Sequence, residues 1–161
     1  MKLTREAILD RKAWEAAGVA LPTFDIEAMC AATKTNPNWM HFGTGNIFRA
    51  FPCAAQQKLL EMGLTDTGII ACETYDHQII DDLMHANDNL TLSVVLKADG
   101  TMERRVIASI AESVKSDAAG EKRMQEIMEN RSLQMVSFTV TEKAYTKDNP
   151  LMKLLESFQI R

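Results

Sequence analysis

Between residues 39 and 140, short apolar runs of strand length alternate with stretches of helical period, and this alternation restricts the fold more than any other feature. WMHF (39–42) is short and apolar at most positions, and GIIACET (68–74) is a continuous apolar run, as expected of a strand buried on both faces. In LTLSVVLKADGTMERRVIASIAESV, two β-rich runs flank Asp99-Gly100, the strongest hairpin signal in the chain. QMVSFTV contains a further strand over 135–140. The order strand–helix–strand–helix–hairpin–helix–strand predicts a parallel sheet with right-handed crossovers that carries an antiparallel insertion or edge.

The helices between these strands carry their own signals. IFRAFPCAAQQKLLEMG spaces Phe48, Phe51, Ala55, Leu59 and Met62 as one apolar face and stops at Gly63. Pro52 requires either a regular helix that starts late or a kink at that point. DHQIIDDLMHAND predicts a short helix with Ile79, Ile80, Leu83 and Met84 inward, and DAAGEKRMQEIMEN another helix. Ahead of Trp39, TREAILDRKAWEAAG reads as a helix capped by Thr4 and stopped by Gly18. LPTFDIEAMCAATKTNPN reads as a second, starting near Thr23 or Asp25. The expected division is a helical extension over residues 1–37 and a nucleotide-binding domain over 38–161, with a last helix after Asn149-Pro150.

The junction HFGTGNIF raises the question of function. Gly43 would make a tight turn after a strand, and Gly45 would let the backbone approach a phosphate at the start of a helix. The third glycine of the dinucleotide fingerprint is replaced by Phe48, and Arg49 offers a direct phosphate contact in compensation. A plain strand-to-helix turn is the competing reading. At the end of the second strand, Glu73 or Asp76 could accept the adenosine ribose hydroxyls. A methyltransferase also uses such a turn, but an acidic residue usually precedes it, and here Met40, His41 and Phe42 do.

Composition excludes several classes. The net charge of −4 offers no basic surface for nucleic acid or anionic lipid, and the charged N-terminus does not read as a secretory signal. Cys30, Cys53 and Cys72 lack metal-type spacing and read as reduced structural thiols, which points to a cytoplasmic protein. His77 and His85 have no third ligand at useful spacing, so no metal site is expected. His41 reads as a satisfied, partly buried imidazole, and Lys143 is not expected to act as a catalytic base.

HFGTGNIFRAF, DGTMERRVIASI and LQMVSFTVTEKAY, taken together and in this order, resemble the mannitol dehydrogenase family, and within it the fructuronate and tagaturonate reductases. The resemblance implies a Rossmann-type, three-layer α/β domain that binds NAD, and hydride transfer involving a keto sugar acid or polyol. It implies pyrophosphate binding by Gly43, Gly45, Asn46, Phe48 and Arg49, with Thr139, Thr141 and Glu142 along the cofactor cleft. Glu73 and Asp76 favour NAD by repelling a 2′-phosphate, while Arg49 and Arg104-Arg105 leave NADP open. Ala144 stands where relatives often have glycine. In the family, catalysis uses a lysine with Asn and His neighbours in a second, mostly helical domain. The sequence up to Arg161 shows no counterpart. The expectation is therefore a dinucleotide-binding half with no catalytic residue of its own, or a non-catalytic nucleotide-binding or interaction module left by truncation. A face that normally packs on a second domain would favour self-association.

Overall fold

The computed structural model describes residues 2–139, and all structural statements refer to these. Ahead of Trp39 lie a 3-10 turn at Ala7–Leu9, helix α1 (Arg11–Ala16), a two-residue strand β1 (Val19–Ala20) and helix α2 (Ile26–Thr35). Thr4 accepts from the Ala7 N–H, and Asp10 and Asp25 cap α1 and α2 by accepting from Ala13 and Ala28. Reading only helices here missed β1. Strand β1 pairs in parallel with β5 (Met102–Ile107), which also forms the expected antiparallel hairpin with β4 (Thr91–Leu96).

The predicted strands Trp39–Phe42 (β2), Ile69–Glu73 (β3) and Met135–Phe138 (β7) all form, joined by β6 (Ile110–Lys115). These four make a wholly parallel sheet in the order β6-β3-β2-β7. The hairpin does not insert into this sheet. It belongs to a separate mixed sheet ordered β1-β5-β4, and the run after Gly100 divides into β5 and β6 at Ala108-Ser109. The fold is α/β and Rossmann-type, with a mainly parallel sheet, as the alternation predicted.

Helices cover both faces of the parallel sheet. On one face, Phe48, Cys53, Ile69, Ala71, Ile80, Met84, Ile107 and Ile110 form a buried cluster with Trp39 against it. On the other, Met40, Ile70, Cys72 and Val114 pack against Ile127 and Met124 of helix α5 (Ala118–Met128). A third cluster joins Ile8, Trp14, Val19 and Leu21 to Leu90, Val106 and Ala108, so the N-terminal segments are packed onto the hairpin sheet.

Two predicted helices differ in detail. The segment after the glycine turn divides at Phe51 into α3 (Asn46–Ala50) and α4 (Pro52–Glu61), with Pro52 at the first position of the second helix. Its missing N–H costs nothing there. The break also turns the helix, so the expected apolar face is wrong after Phe48. Phe51 is 72% exposed, Leu59 and Met62 also face out, and the buried residues of α4 are Cys53, Gln56, Gln57 and Leu60. The second helix forms around Ile79–Met84 with Ile80 and Met84 buried, but it is wound as a π-helix and ends in a 3-10 turn.

Candidate functional site

β2, β3 and β6 are laid down successively in one direction across the sheet, and β7 then returns to the opposite side of β2. The order therefore reverses between β2 and β7, and a crevice opens at their carboxyl ends. Open α/β sheets bind ligands there. The turn Gly43-Thr44-Gly45 lies at that point, between β2 and α3.

The two glycines are required for different reasons. Gly43 has φ +99°, and a Cβ there would stand 2.6 Å from the Thr139 carbonyl oxygen and 2.8 Å from its Oγ1. Its N–H donates to the Cys72 carbonyl at 2.9 Å, which ties the turn to β3. Gly45 has an ordinary φ of −67°, and a Cβ there would meet nothing within 4 Å. Neither backbone conformation nor packing among the described residues accounts for the second glycine. Gly45 is the N-cap of α3 and has no side chain to offer the first-turn N–H groups, so among the described residues these donors and the space before them have no partner. A phosphate group fits that arrangement.

Phe48, in place of the third glycine, is fully buried and stacks on the His41 ring with centroids 4.0 Å apart. The third glycine of the fingerprint serves close helix–strand packing. Here an aromatic pair fills that space. His41 itself belongs to a hydrogen-bonded row across β2 and β7. Trp39 Nε1 donates to Ser137 Oγ at 2.6 Å, and Ser137 Oγ lies 2.7 Å from His41 Nδ1. His41 Nε2 lies 3.1 Å from Thr139 Oγ1, which donates to the Gly43 carbonyl at 3.2 Å. The indole can only donate and the carbonyl can only accept, so a neutral imidazole carrying its proton on Nε2 satisfies every group. Alternation along β2 and β7 places all four side chains on one face, with His41 level with Ser137, a signal present in the sequence as W-x-H in one strand and S-x-T at the end of the other.

Burial lowers the His41 pKa from 6.5 to about 4, against the opposing pull of a hydrogen bond to the Gly43 carbonyl. Between those values the unfolded chain binds a proton that the folded chain refuses, so folding stability falls as pH drops from 6.5 towards 4. The contribution is at most about 1.4 kcal/mol per pH unit. We expect thermal melts of the protein and of His41→Gln to differ in slope between pH 5 and 7, with the variant flatter. Parallel slopes would show that His41 does not govern this window.

Glu73 ends β3 beside the turn. One carboxylate oxygen accepts from the Thr44 N–H at 3.1 Å and the Thr44 hydroxyl at 2.9 Å. The other accepts from the N–H groups of Thr74, Tyr75 and Asp76 at 3.1, 3.1 and 3.4 Å. Burial works to raise the Glu73 pKa, and the Thr44, Tyr75 and Asp76 donors outweigh it, holding the carboxyl below its usual value. Thr44, fully buried between the glycines, was not singled out in the sequence. Asn46 and Arg49 pair through Arg49 Nη2 and Asn46 Oδ1 at 2.6 Å, and both line a groove of about 220 Å³ against Thr91–Val94.

Gly43, Gly45, Asn46, Phe48, Arg49, Glu73 and Thr139 are thus distributed over the ends of β2, β3 and β7 and the start of α3. Thr141, Glu142 and Lys143 lie outside the described residues, as does the expected last helix. His77 and His85 go to separate partners, Ser116 Oγ and the Ser113 carbonyl. Burial pushes the thiols of Cys53 and Cys72 well above their ordinary pKa. A larger concavity of about 470 Å³ opens among Arg5, Ile8, Leu9, Phe24 and Glu27 but shares no lining residue with the glycine turn. No helix among the described residues is long and apolar enough to cross a membrane.

A glycine turn at the reversal point of a parallel sheet in this order defines a Rossmann-type domain. The chain superposes on Pseudomonas fluorescens mannitol 2-dehydrogenase, solved as a ternary complex with NAD and D-mannitol, with a TM-score of 0.76 at 21% identity. That match covers 99% of this chain and 31% of the dehydrogenase. A substrate-free D-sorbitol dehydrogenase matches at TM-score 0.71 and 22% identity, over 90% of this chain and 28% of that one. In sequence, the chain is 48% identical over 147 residues to the D-mannonate oxidoreductase of Thermotoga maritima, which is 90% of this chain and 27% of that protein. No protein-family model matches. The resemblance to the mannitol dehydrogenase family, and to its sugar-acid branch, therefore extends along most of the chain, which spans about a quarter of the oxidoreductase it matches.

Proposed function

We propose that this chain is the dinucleotide-binding part of an oxidoreductase that moves a hydride between NAD and a keto sugar acid or the matching aldonate. The observation that carries the reading is Gly45, whose missing side chain serves no need of the described residues while the first-turn N–H groups of α3 stand uncapped among them. The similarity to D-mannonate oxidoreductase supports the substrate class, and the NAD complex of the mannitol dehydrogenase supports the cofactor. The cofactor supplies the hydride. The chain's own residues hold its phosphates, with Gly43 giving the turn its course and Gly45 its close approach. The row from Trp39 to Thr139 ties the end of β7 to β2 and to the glycine turn. The protein would meet its substrates as small molecules, and self-association through apolar residues left exposed on β7, such as Phe138, belongs to the same proposal.

Titration of intrinsic fluorescence with NADH tests this. Saturable binding is expected, and Gly45→Val should weaken it roughly tenfold or more, a loss of about 1.4 kcal/mol at least. The same substitution should leave the melting temperature almost unchanged, because its Cβ meets no atom of the described residues. Undiminished NADH affinity in Gly45→Val would remove the turn from the cofactor site. Oxidation of NADH by fructuronate, with fructose as the uncharged comparison, tests the substrate class.

A further inference from the structure

We propose that Glu73 is a positioning residue whose carboxylate clips the glycine turn to the loop after β3, and that it does not grip the adenosine ribose. The inference rests on the dinucleotide reading and departs from the usual role of an acid at the end of a second strand. A carboxylate offers about four lone-pair sites. Glu73 already receives five donors, two from Thr44 on one oxygen and three backbone N–H groups on the other.

The two oxygens are not equally replaceable. Thr74, Tyr75 and Asp76 are exposed, so their N–H groups could turn to water. Thr44 is 0% exposed, and its N–H and hydroxyl have no such recourse. A grip on both ribose hydroxyls needs both oxygens, and releasing the second would strand two buried donors inside the phosphate turn. The carboxylate therefore acts on the cofactor through Thr44, by holding the residue between Gly43 and Gly45 in place. Ribose recognition falls to neighbouring groups beyond β3, where Asp76 and the 96% exposed Tyr75 stand.

A thermodynamic cycle separates the two roles. NAD and 2′-deoxy-NAD are titrated against the unaltered chain and Glu73→Gln, which keeps the side chain's size but turns one acceptor into a donor. The clip predicts that both ligands weaken by the same factor, about tenfold, with a coupling factor within about twofold of one. Weakening of NAD alone, with 2′-deoxy-NAD spared, would assign Glu73 to the ribose and overturn the inference, and so would unchanged affinity for both. Thr44→Val approaches the clip from its other end and should weaken both ligands in the same way. Amide exchange without cofactor gives an independent arm. The Thr44 N–H should lose protection about tenfold in Glu73→Gln while residues of β2 keep theirs, and unchanged protection would overturn the clip. Absence of any NAD binding by the unaltered chain would sink the dinucleotide reading alone, leaving the exchange result to decide the clip.

Discussion

Replacing Gln57 by leucine is expected to cost about 3–4 kcal/mol of folding stability, although leucine is the more apolar residue. Gln57 is 2% exposed on α4, and its amide faces the end of β5. Its Nε2 donates to the Val106 carbonyl at 2.9 Å and its Oε1 accepts from the Ala108 N–H at 2.7 Å. Leucine would leave both backbone groups buried without partners, and each orphan costs about 1–3 kcal/mol. The position also matters topologically, because Val106–Ala108 is where the chain leaves the hairpin sheet for β6. Ser109 Oγ, donating to the Cys53 carbonyl at 2.6 Å, fastens the next residue to the same helix. Gln56→Leu offers a calibrated comparison, since it removes one bond, to the Thr67 carbonyl. Urea unfolding should place Gln57→Leu well below Gln56→Leu. A loss under about 1 kcal/mol at Gln57 would mean that the two sheets are joined by other contacts.

Gly43→Ala should destabilise the chain by about 3–5 kcal/mol, while Gly45→Ala, two residues away, should change stability by less than about 0.5 kcal/mol. At Gly43 the left-handed backbone costs an L-residue about 1–2 kcal/mol by itself. The added Cβ must also displace the end of β7, because it would lie 2.6 Å from the Thr139 carbonyl oxygen. Moving Thr139 breaks its bond to the Gly43 carbonyl and its contact with His41 Nε2. The damage should therefore appear as lost amide protection along β7 before the rest of the sheet opens. Equal tolerance of alanine at both positions would contradict the close packing of the turn against β7.

How far the sequence could be read depended on the distance over which each choice is made. β2, β3 and β7 were legible because an apolar run of strand length is local, and each lies within the stretch predicted for it. The Asp99-Gly100 hairpin was legible for the same reason, with Asp99 accepting from the Thr101 N–H and hydroxyl and Gly100 at φ +82°. The face of α4 was misread because a 3.6-residue period assumes one continuous helix. The interruption at Phe51-Pro52 rotates α4 relative to α3 and brings two glutamines inward. Glutamine at a core position is justified only by the backbone groups it meets, and those lie 11 residues away in Thr67 and 49–51 away in Val106 and Ala108.

The candidate site divides along the same line. Strand, tight turn and helix start are neighbours in the chain, so alternation and the Gly-x-Gly spacing determined a parallel α/β fold and where along the chain the proposed phosphate site falls. Only the tertiary structure decided what each residue of that site does, because those roles depend on strands brought together from opposite ends of the chain. Gly43 faces Thr139 and His41 faces Ser137, 96 residues away in each pair. Glu73 reaches back 29 residues to Thr44 and already accepts from five donors within the chain. A carboxylate at the end of a strand looks free when its neighbours in sequence are counted. Whether its lone pairs are open is set by which donors the sheet order has placed around it.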